Sequence, residues 1–446
     1  MSDKLVIFDE VQHKVLKIRI YPNQDQTILI NKTFGSCRKL YNEHLQERNE
    51  FYIDNILSIP KEERQLKSKE IYKKFKPKTE KEWKVIYPYM TEVSSAALQQ
   101  ARMDCDQAFV NFFKSNNGSR KGKSGFPKFK SKHNNYQSYR EVNTNNNCSL
   151  NFEERKVKIP KIGKVSFKDR KFPTWWDRKT KLCSMTIEKS CSNQYFVAIL
   201  FEVQKAVHKI DNRKDAIGMD FSPAEMYINS DGLSGKDFGY VAQKQAHHKQ
   251  LKKLSKRLAR KQKGSNNRNK ARIKLARLEE HIANSRKDWI EKESLRLVRS
   301  YDKVVVEDLN LKGISKFLRN AKNMNDTSWA TFVSRLQAKG EDYDCEVIKA
   351  DRYFPSSKLC SCCGWKYENL TLDIRKWTCP KCGTSHIRDV NAAINLKNYV
   401  PMEGRELTPV ESDKVKSLAL LALQVGSLNE AGNHSQATSG RNVLGL

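Results

Sequence analysis

Two cysteine pairs, Cys360 with Cys363 and Cys379 with Cys382, are separated by the fifteen residues 364 to 378, and this spacing constrains the fold more than any other feature of the chain. A Cys-x-x-Cys turn aims two thiolates at one point, and two such turns close a tetrahedron around Zn2+ with Zn–S near ~2.3 Å. Gly364 and Gly383 directly follow the pairs and permit the bend that brings peptide N–H groups to the sulfurs. Four protein ligands leave no open position, so the predicted zinc is structural. Cys362 is the odd thiol, and His386 is read as a surface residue or one behind the ligands rather than as a fifth ligand. Cys37, Cys105, Cys148, Cys183, Cys191 and Cys345 are scattered, which points to thiols kept reduced in a cytoplasm, not to a disulfide framework.

Charge narrows the partners. Of 446 residues 83 are Lys or Arg and 51 are Asp or Glu, a formal net charge of +32, while 38% hydrophobic residues suffice for several packed domains. A compact chain so one-sided repels itself unless a polyanion neutralises it, which makes nucleic acid the first partner to test. Residues 114–140 carry Lys114, Arg120, Lys121, Lys123, Lys128, Lys130, Lys132 and Arg140 without one acid, interleaved with Phe126, Phe129, Tyr136 and Tyr139. Residues 241–287 hold sixteen Lys or Arg, Lys252, Lys253, Lys256 and Arg257 among them, against Glu279 and Glu280. A merely solvated face mixes signs, whereas phosphate contact wants one. The rings can stack on bases or pack an interior. No run approaches the ~18 apolar residues of a membrane span, and Leu418 to Leu423 is the richest. The opening MSDKLVIFDEVQHK, with Asp3, Asp9 and Glu10 round a short apolar patch, lacks the pattern of a secretory signal.

Periodicity predicts a mixed α/β layout. Residues 15–22 alternate as a strand ended by Pro22 and Asn23, helices are expected over 26–52 and 94–113 with Ser94 or Ser95 as N-cap, and strands resume in KVKIPKIGKVSF and QYFVAILFEV. From 216 three strands are expected at 216–221, 225–230 and 238–243. A basic pair of helices follows over 245–299, broken at Gly264, Ser265 and Asn266. A strand at 303–309, a helix at 328–337, a strand at 346–351 and a helix at 388–399 complete the series, and 401–446 reads as a mobile tail.

Asp220 ends one apolar strand, Glu307 ends another, and Asp389 opens the helix after the cysteine cluster. Ligands of an α/β sheet gather beyond the carboxyl ends of its strands, so these acids can converge. Hydrolysis of a phosphodiester at neutral pH wants two Mg2+ ions roughly 3.5–4 Å apart, held by carboxylates and the phosphate. On that reading Asp220 bridges both ions while Glu307 and Asp389 hold one each. Taken singly, each acid is as readily a turn former. Asp308 is expected to face the other side of the sheet, and Asp351 is a rival at another strand end.

RIYPN, ALQQARMDCDQAFVNFFK, GFPKFKSK with QSYR, GMDFS, VVVEDLNLKGISK, and CSCCG…RKWTCPKCG running into HIRDVNAAINL, together spanning residues 15 to about 400, resemble the transposon-encoded TnpB (OrfB) proteins, ancestral to type V CRISPR effectors. The resemblance implies a multidomain α+β protein: a RuvC-like nuclease core of ribonuclease H style with an inserted zinc ribbon, a β-barrel wedge domain and a helical recognition domain. The implied ranges are wedge 1–33 and 115–210, recognition domain 34–114, nuclease 211–351 and 388–400, and ribbon 352–387. It implies a guide RNA from the transposon end and double-stranded target DNA as partners, with no membrane or small-molecule substrate. Cleavage next to a short flanking motif is implied, in a prokaryotic cytoplasm at the nucleoid. Asp220, Glu307 and Asp389 fall at the family's catalytic acids, and Tyr52, Ser95 and Gln99 at motif-reading positions. Here Ile387 stands where the family often has Asp, and FSPAEM replaces the commoner glycine-containing turn. Three rival readings stay open: a catalytically silent RNA-guided repressor, a compact type V CRISPR effector, and a transposase that joins ends itself.

Overall fold

The computed structural model describes residues 3–401 other than 121, 170–171, 177, 310–327 and 372, without side chains at 61, 62, 65, 66, 68, 69, 243 and 244. Lys121, the NLKGISK stretch from Asn310 onward and the tail from residue 402 therefore lie outside the described residues. The architecture is mixed α+β, with two sheets and a two-stranded ribbon.

In the N-terminal half, β1 (Asp3–Tyr21) pairs antiparallel with β7 (Tyr195–Ile210), from Asp3 opposite Ile210 to Ile20 opposite Tyr195, with a register shift between Ile7 and Val11. The strand starts well before residue 15 because the partner continues where acids break the alternation. β2 (Gln137–Val142), β6 (Lys181–Lys189), β7, β1, β5 (Gly163–Phe167), β4 (Lys156–Ile159) and β3 (Ser149–Asn151) lie side by side in that order. Tyr139 of β2 and Val157 of β4, near opposite ends of this order, join one core with Ile18, Met185, Val197 and Phe201, so the sheet curls round a single interior.

Helix α1 (Gln24–Asn55) starts at a reciprocal cap: Gln26 N donates to Asn23 Oδ1 at 2.8 Å, and Asn23 N to Gln26 Oε1 at 3.1 Å. Its first half gives Ile30, Phe34, Cys37 and Leu40 to the sheet's core, and its second packs Tyr41 and Leu45 on Cys105 and Phe109 of α4 (Ser95–Asn116). The helix runs unbroken through the implied boundary at 33/34. Ser94 stands at the N-cap position of α4, but it does not cap: its buried hydroxyl donates to Glu141 Oε2 at 2.9 Å. Helices α2 (Lys61–Lys73) and α3 (Glu80–Ile86) complete this half.

The second sheet has the order β11-β10-β8-β9. β8 (Lys214–Ser222) and β9 (Met226–Asn229) form an antiparallel hairpin, whereas β10 (Tyr301–Glu307) runs parallel to both β8 and β11 (Glu346–Ala350). Parallel neighbours need crossover connections. The first contains α5 (Tyr240–Gln245), α6 (His248–Ala259) and α7 (Asn266–Ser300), and the second contains α8 (Trp329–Tyr343). Ile217, Met219, Val304 and Val306 meet Trp289, Leu297, Phe332 and Leu336 of α7 and α8 in one core. The break between α6 and α7 falls as expected, with Ser265 Oγ accepting from Arg268 N at 3.2 Å.

The strand expected at 238–243 is a turn and the helix α5. Gly239 takes φ +83° at the helix start, Phe238 O accepts from Trp289 Nε1 at 2.7 Å, and fully buried Tyr240 packs on the Trp289 ring. These apolar residues anchor a loop onto α7, which imitates strand alternation. The ribbon β12 (Lys376–Thr378) with β13 (Ser385–Ile387) leads into α9 (Arg388–Lys397), which lies on β8. Among the described residues no helix is long and apolar enough to cross a membrane.

Candidate functional site

Register builds the acid cluster. Val306 pairs with Met219, so the next residues along these parallel strands, Glu307 and Asp220, are neighbours at the carboxyl ends and share a sheet face. The third acid arrives on α9, and Gly218 decides how closely that helix approaches: a Cβ there would sit 2.0 Å from Ala393 O and 2.3 Å from Lys397 N. From Gly218, Asp220 lies about 6–7 Å along the strand, and Asp389 lies about 6 Å along the helix from Ala393. A helix running against β8 therefore brings its first turn to Asp220.

All three carboxylates are half-buried. Burial, then the charges of Glu307 and Asp389, push Asp220 well above the usual carboxylate range, and Arg388 only partly opposes this. Burial also raises Glu307, against hydrogen bonds from the Ser356 hydroxyl, Asp220 and the Phe221 N–H. Ser356 Oγ donates to Glu307 Oε1 at 2.8 Å. Asp389 meets Arg388 Nε at 3.1 Å and Arg375 Nη1 at 3.4 Å. Negative charge crowded beyond what two arginines neutralise is what a divalent cation relieves, and carboxylate oxygens are the donors a hard cation takes. The rival acids are engaged elsewhere. Asp308 pairs with Arg352 at 2.7 Å, and Asp351 accepts from the Tyr399 hydroxyl at 2.7 Å.

The four cysteines of the two pairs bring their sulfurs within 4.8 Å of one another. Cys360 and Cys382 stand 3.6 Å apart and Cys363 and Cys379 3.7 Å apart, close to the ~3.8 Å edge of a tetrahedron with ~2.3 Å Zn–S arms. The cluster fits a structural zinc. Each turn closes through a glycine at φ +71°, with Gly364 N donating to Cys360 O at 2.9 Å and Gly383 N to Cys379 O at 2.8 Å. The Thr384 hydroxyl and backbone N–H hold the Cys382 thiol down to about 6. Cys362 is exposed. Buried His386 places Nε2 3.0 Å from Cys360 Sγ with its ring on Trp377, and desolvation lowers its pKa, so it adjoins the cluster as a neutral ring. A second donor group, His13, Cys183 and Glu202 across β1, β6 and β7, is already neutralised by Lys181, 3.3 Å from Glu202.

The basic segments divide. Leu251, Leu254 and Leu258 turn one face of α6 inward, leaving Lys252, Lys253, Lys256 and Arg257 exposed together on another. Lys123, Lys128, Lys130 and Arg140 are all exposed, the Lys130 ammonium also sitting 3.9 Å over the Tyr41 ring and Arg140 donating to Ser184 Oγ at 3.2 Å. Phe126, Phe129 and Tyr136 are all exposed, and Phe126 also packs edge-on against Phe109 and Phe112. Tyr52, Ser95 and Gln99 are exposed but not together. Cys37 Sγ meets Ala97 O and His44 meets Asp106, so α1 and α4 run parallel. Tyr52 is therefore about 22 Å along α1 from the level of Ser95 and Gln99. Ser356, Arg375 and Arg388 had no marker in the sequence. The helical pair Asn391 and Asn395 did, as two amides four apart among Val390, Ala392, Ala393, Ile394 and Leu396.

Three family profiles match: "Cas12f1-like, TNB domain" over residues 329–396, "Probable transposase" (OrfB) over 198–318, and "Helix-turn-helix domain" (OrfB) over 12–55. The last covers a strand followed by one helix in this fold. A protein of Streptomyces pristinaespiralis provisionally named an RNA-guided DNA endonuclease is 30% identical over 86% of this chain and 88% of its own length. InsQ of Escherichia coli K12, named in the same terms, is 26% identical over 86% of this chain and 91% of its own. A solved Cas12f1–sgRNA–target DNA complex is similar at 14% identity and TM-score 0.46, over 87% of this chain and 99% of that one.

Proposed function

The chain belongs to the TnpB (OrfB) family of transposon-encoded RNA-guided nucleases, and from that premise we propose that it cuts DNA complementary to a bound guide RNA, beside a short flanking motif. The observation that carries the reading is the meeting of Asp220, Glu307 and Asp389 at one end of the second sheet. Asp220, which feels the charge of both other acids, would hold the Mg2+ ions together with Glu307 and Asp389. Magnesium bound there supplies an activated water and a counter-charge for the leaving oxygen. Glu307 is oriented by Ser356 and Phe221, and Asp389 by Arg388 and Arg375.

The finer architecture follows the same reading. The curled first sheet is the wedge barrel, residues 34–114 form the recognition domain, the second sheet with α9 is the RuvC-like core, and 352–387 is the zinc ribbon. The exposed face of α6 and Lys123 and Lys128 meet phosphates without reading bases. Ser95 and Gln99, one turn apart on α4, face the flanking motif, and Tyr52 lies beyond that patch. The guide is transcribed from the transposon end, and sequence is read by its pairing.

The test is plasmid cleavage by protein purified with its own RNA. Wild type is expected to cut a matched target in Mg2+, and Asp220→Ala to bind it uncut. A wild type that binds matched DNA and never cuts returns the repressor reading.

A further inference from the structure

The thiolate cluster and the acid cluster are joined by one short, buried hydrogen-bonded path. Ser356, 4% exposed, touches Glu307 from the segment between β11 and Cys360. That segment is gripped by α9. Asn395 Nδ2 donates to Ser356 O and to Leu359 O, each at 2.7 Å. Asn391 Nδ2 donates to Leu359 O at 2.6 Å, and its Oδ1 accepts from Ser361 N at 2.9 Å. The two residues flanking Cys360 are therefore both held by one amide. Four residues apart, Asn391 and Asn395 share a helix face. The same helix carries Asp389 in its first turn. Leaving either buried amide unpaired is costly, so this grip has one geometry.

We propose that Ser356 is a positioning residue for Glu307 and that the thiolate knuckle, through Asn391 and Asn395, sets where Ser356 stands, so that zinc occupancy tightens the hold of the acid cluster on its divalent cation. The proposal rests on the acid cluster being a cation site, as read above. The loop is closed: Glu307 on β10, Ser356 on the gripped segment, Asn395 and Asp389 on α9, and α9 on β8 beside Asp220. Cys360 lies inside the grip, so a knuckle that loses its shape shifts Leu359 and Ser361, and with them the carbonyl and hydroxyl of Ser356. A ligand-orienting hydrogen bond of this kind is typically worth about 10-fold or more in metal affinity.

The experiment measures Mn2+ binding to the full chain by electron paramagnetic resonance, with zinc content by elemental analysis. Ser356→Ala is expected to keep its zinc and bind Mn2+ about 10-fold more weakly, and Ser356→Thr to restore binding to within about 2-fold. Removing zinc from wild type by chelation should weaken Mn2+ binding to a similar extent, and removing it from Ser356→Ala should add little. Asn391→Ala with Asn395→Ala should match Ser356→Ala. Wild-type affinity in Ser356→Ala overturns the proposal, as does a zinc effect that persists in full in that variant. If Asp220→Asn leaves Mn2+ binding unchanged, the cation-site reading fails and the proposal falls with it.

Discussion

The thiolate cluster, which fits a structural zinc, and the acid cluster, proposed to hold divalent cations, are opposite constructions. The first draws all its ligands from two tight turns between Cys360 and Cys382, and Gly364 and Gly383 complete it within the same stretch. The second draws Asp220, Glu307 and Asp389 from two strands and a helix, and nothing short of the assembled sheet brings them together. Local construction makes a site that shapes its own surroundings. Distributed construction makes one whose geometry is borrowed from the fold, and whose crowded charges oppose the fold.

The largest expected effect tests the local half. Cys379→Ser should abolish zinc retention, because structural zinc in small knuckles carries about 10–16 kcal/mol of folding free energy. Hydrogen exchange should then show lost protection over the ribbon 376–387, while β1 and β7 keep theirs. Loss of protection throughout the first sheet would break the claim that the knuckle is self-contained.

Asp220→Asn tests the distributed half. Cleavage should fall by about 10³-fold or more. Stability should move the other way. Asp220 holds its proton more tightly folded than unfolded, so ionising it costs stability as pH rises above the ordinary carboxylate range, and no cost exists below that range. Without divalent cations, the variant should melt above wild type at pH 7 by a few degrees, and saturating Mg2+ should shrink the gap. A gap that ignores Mg2+ would mean that burial alone, not crowded charge, sets the behaviour of this acid.

Gly218→Ala separates the two clusters without touching a ligand. Its Cβ would strike the backbone of α9, which cannot yield as a side-chain tip can, so about 3 kcal/mol of overpacking is expected. Cleavage should drop with zinc content unchanged, since the knuckle needs no contact at Gly218. Wild-type cleavage in this variant would show that α9 can shift without displacing Asp389.

The same contrast explains what was legible in the chain. Cysteine spacing is a local signal, and it named all four thiolates. The acids were expected from a positional rule for strand ends of an α/β sheet, with Asp308 set aside by strand period and Asp351 kept as a rival. The structure sets Asp220 beside Glu307 and engages Asp308 with Arg352 and Asp351 with Tyr399. Ser356 was not legible, because its importance exists only at contact with Glu307, 49 residues away along the chain. Tyr52 was grouped with Ser95 and Gln99 through the family resemblance alone, which carries no information on how far apart α1 and α4 place them. The strand expected at 238–243 failed for a related reason: Phe238 and Tyr240 alternate with small residues, but what they answer to is Trp289 on α7.

Glu141 supplies the control for the crowded carboxylates, since it is a buried acid with no acidic neighbour. It is fully enclosed in the first sheet's core, accepts one hydrogen bond from Ser94, and leaves Oε1 without a partner. Burial raises it from 4.5 to about 7, with Ser94 opposing. The folded state therefore binds this proton where the unfolded chain has released it, and stability falls as pH climbs from about 4.5 to about 7 before levelling. Glu141→Gln keeps the Ser94 contact and removes the charge, so it should gain about 2–3 kcal/mol over wild type at pH 8 and almost nothing at pH 4.5. Thermal melts at the two pH values measure it. Unlike the gain at Asp220, this one should be the same with and without Mg2+, because no cation can reach Glu141. A Mg2+-dependent gain here would erase the distinction between an acid raised by burial alone and one raised by burial together with acidic neighbours. A gain equal at both pH values would mean that Glu141 holds its proton no more tightly folded than unfolded, and that the gain does not come from its charge.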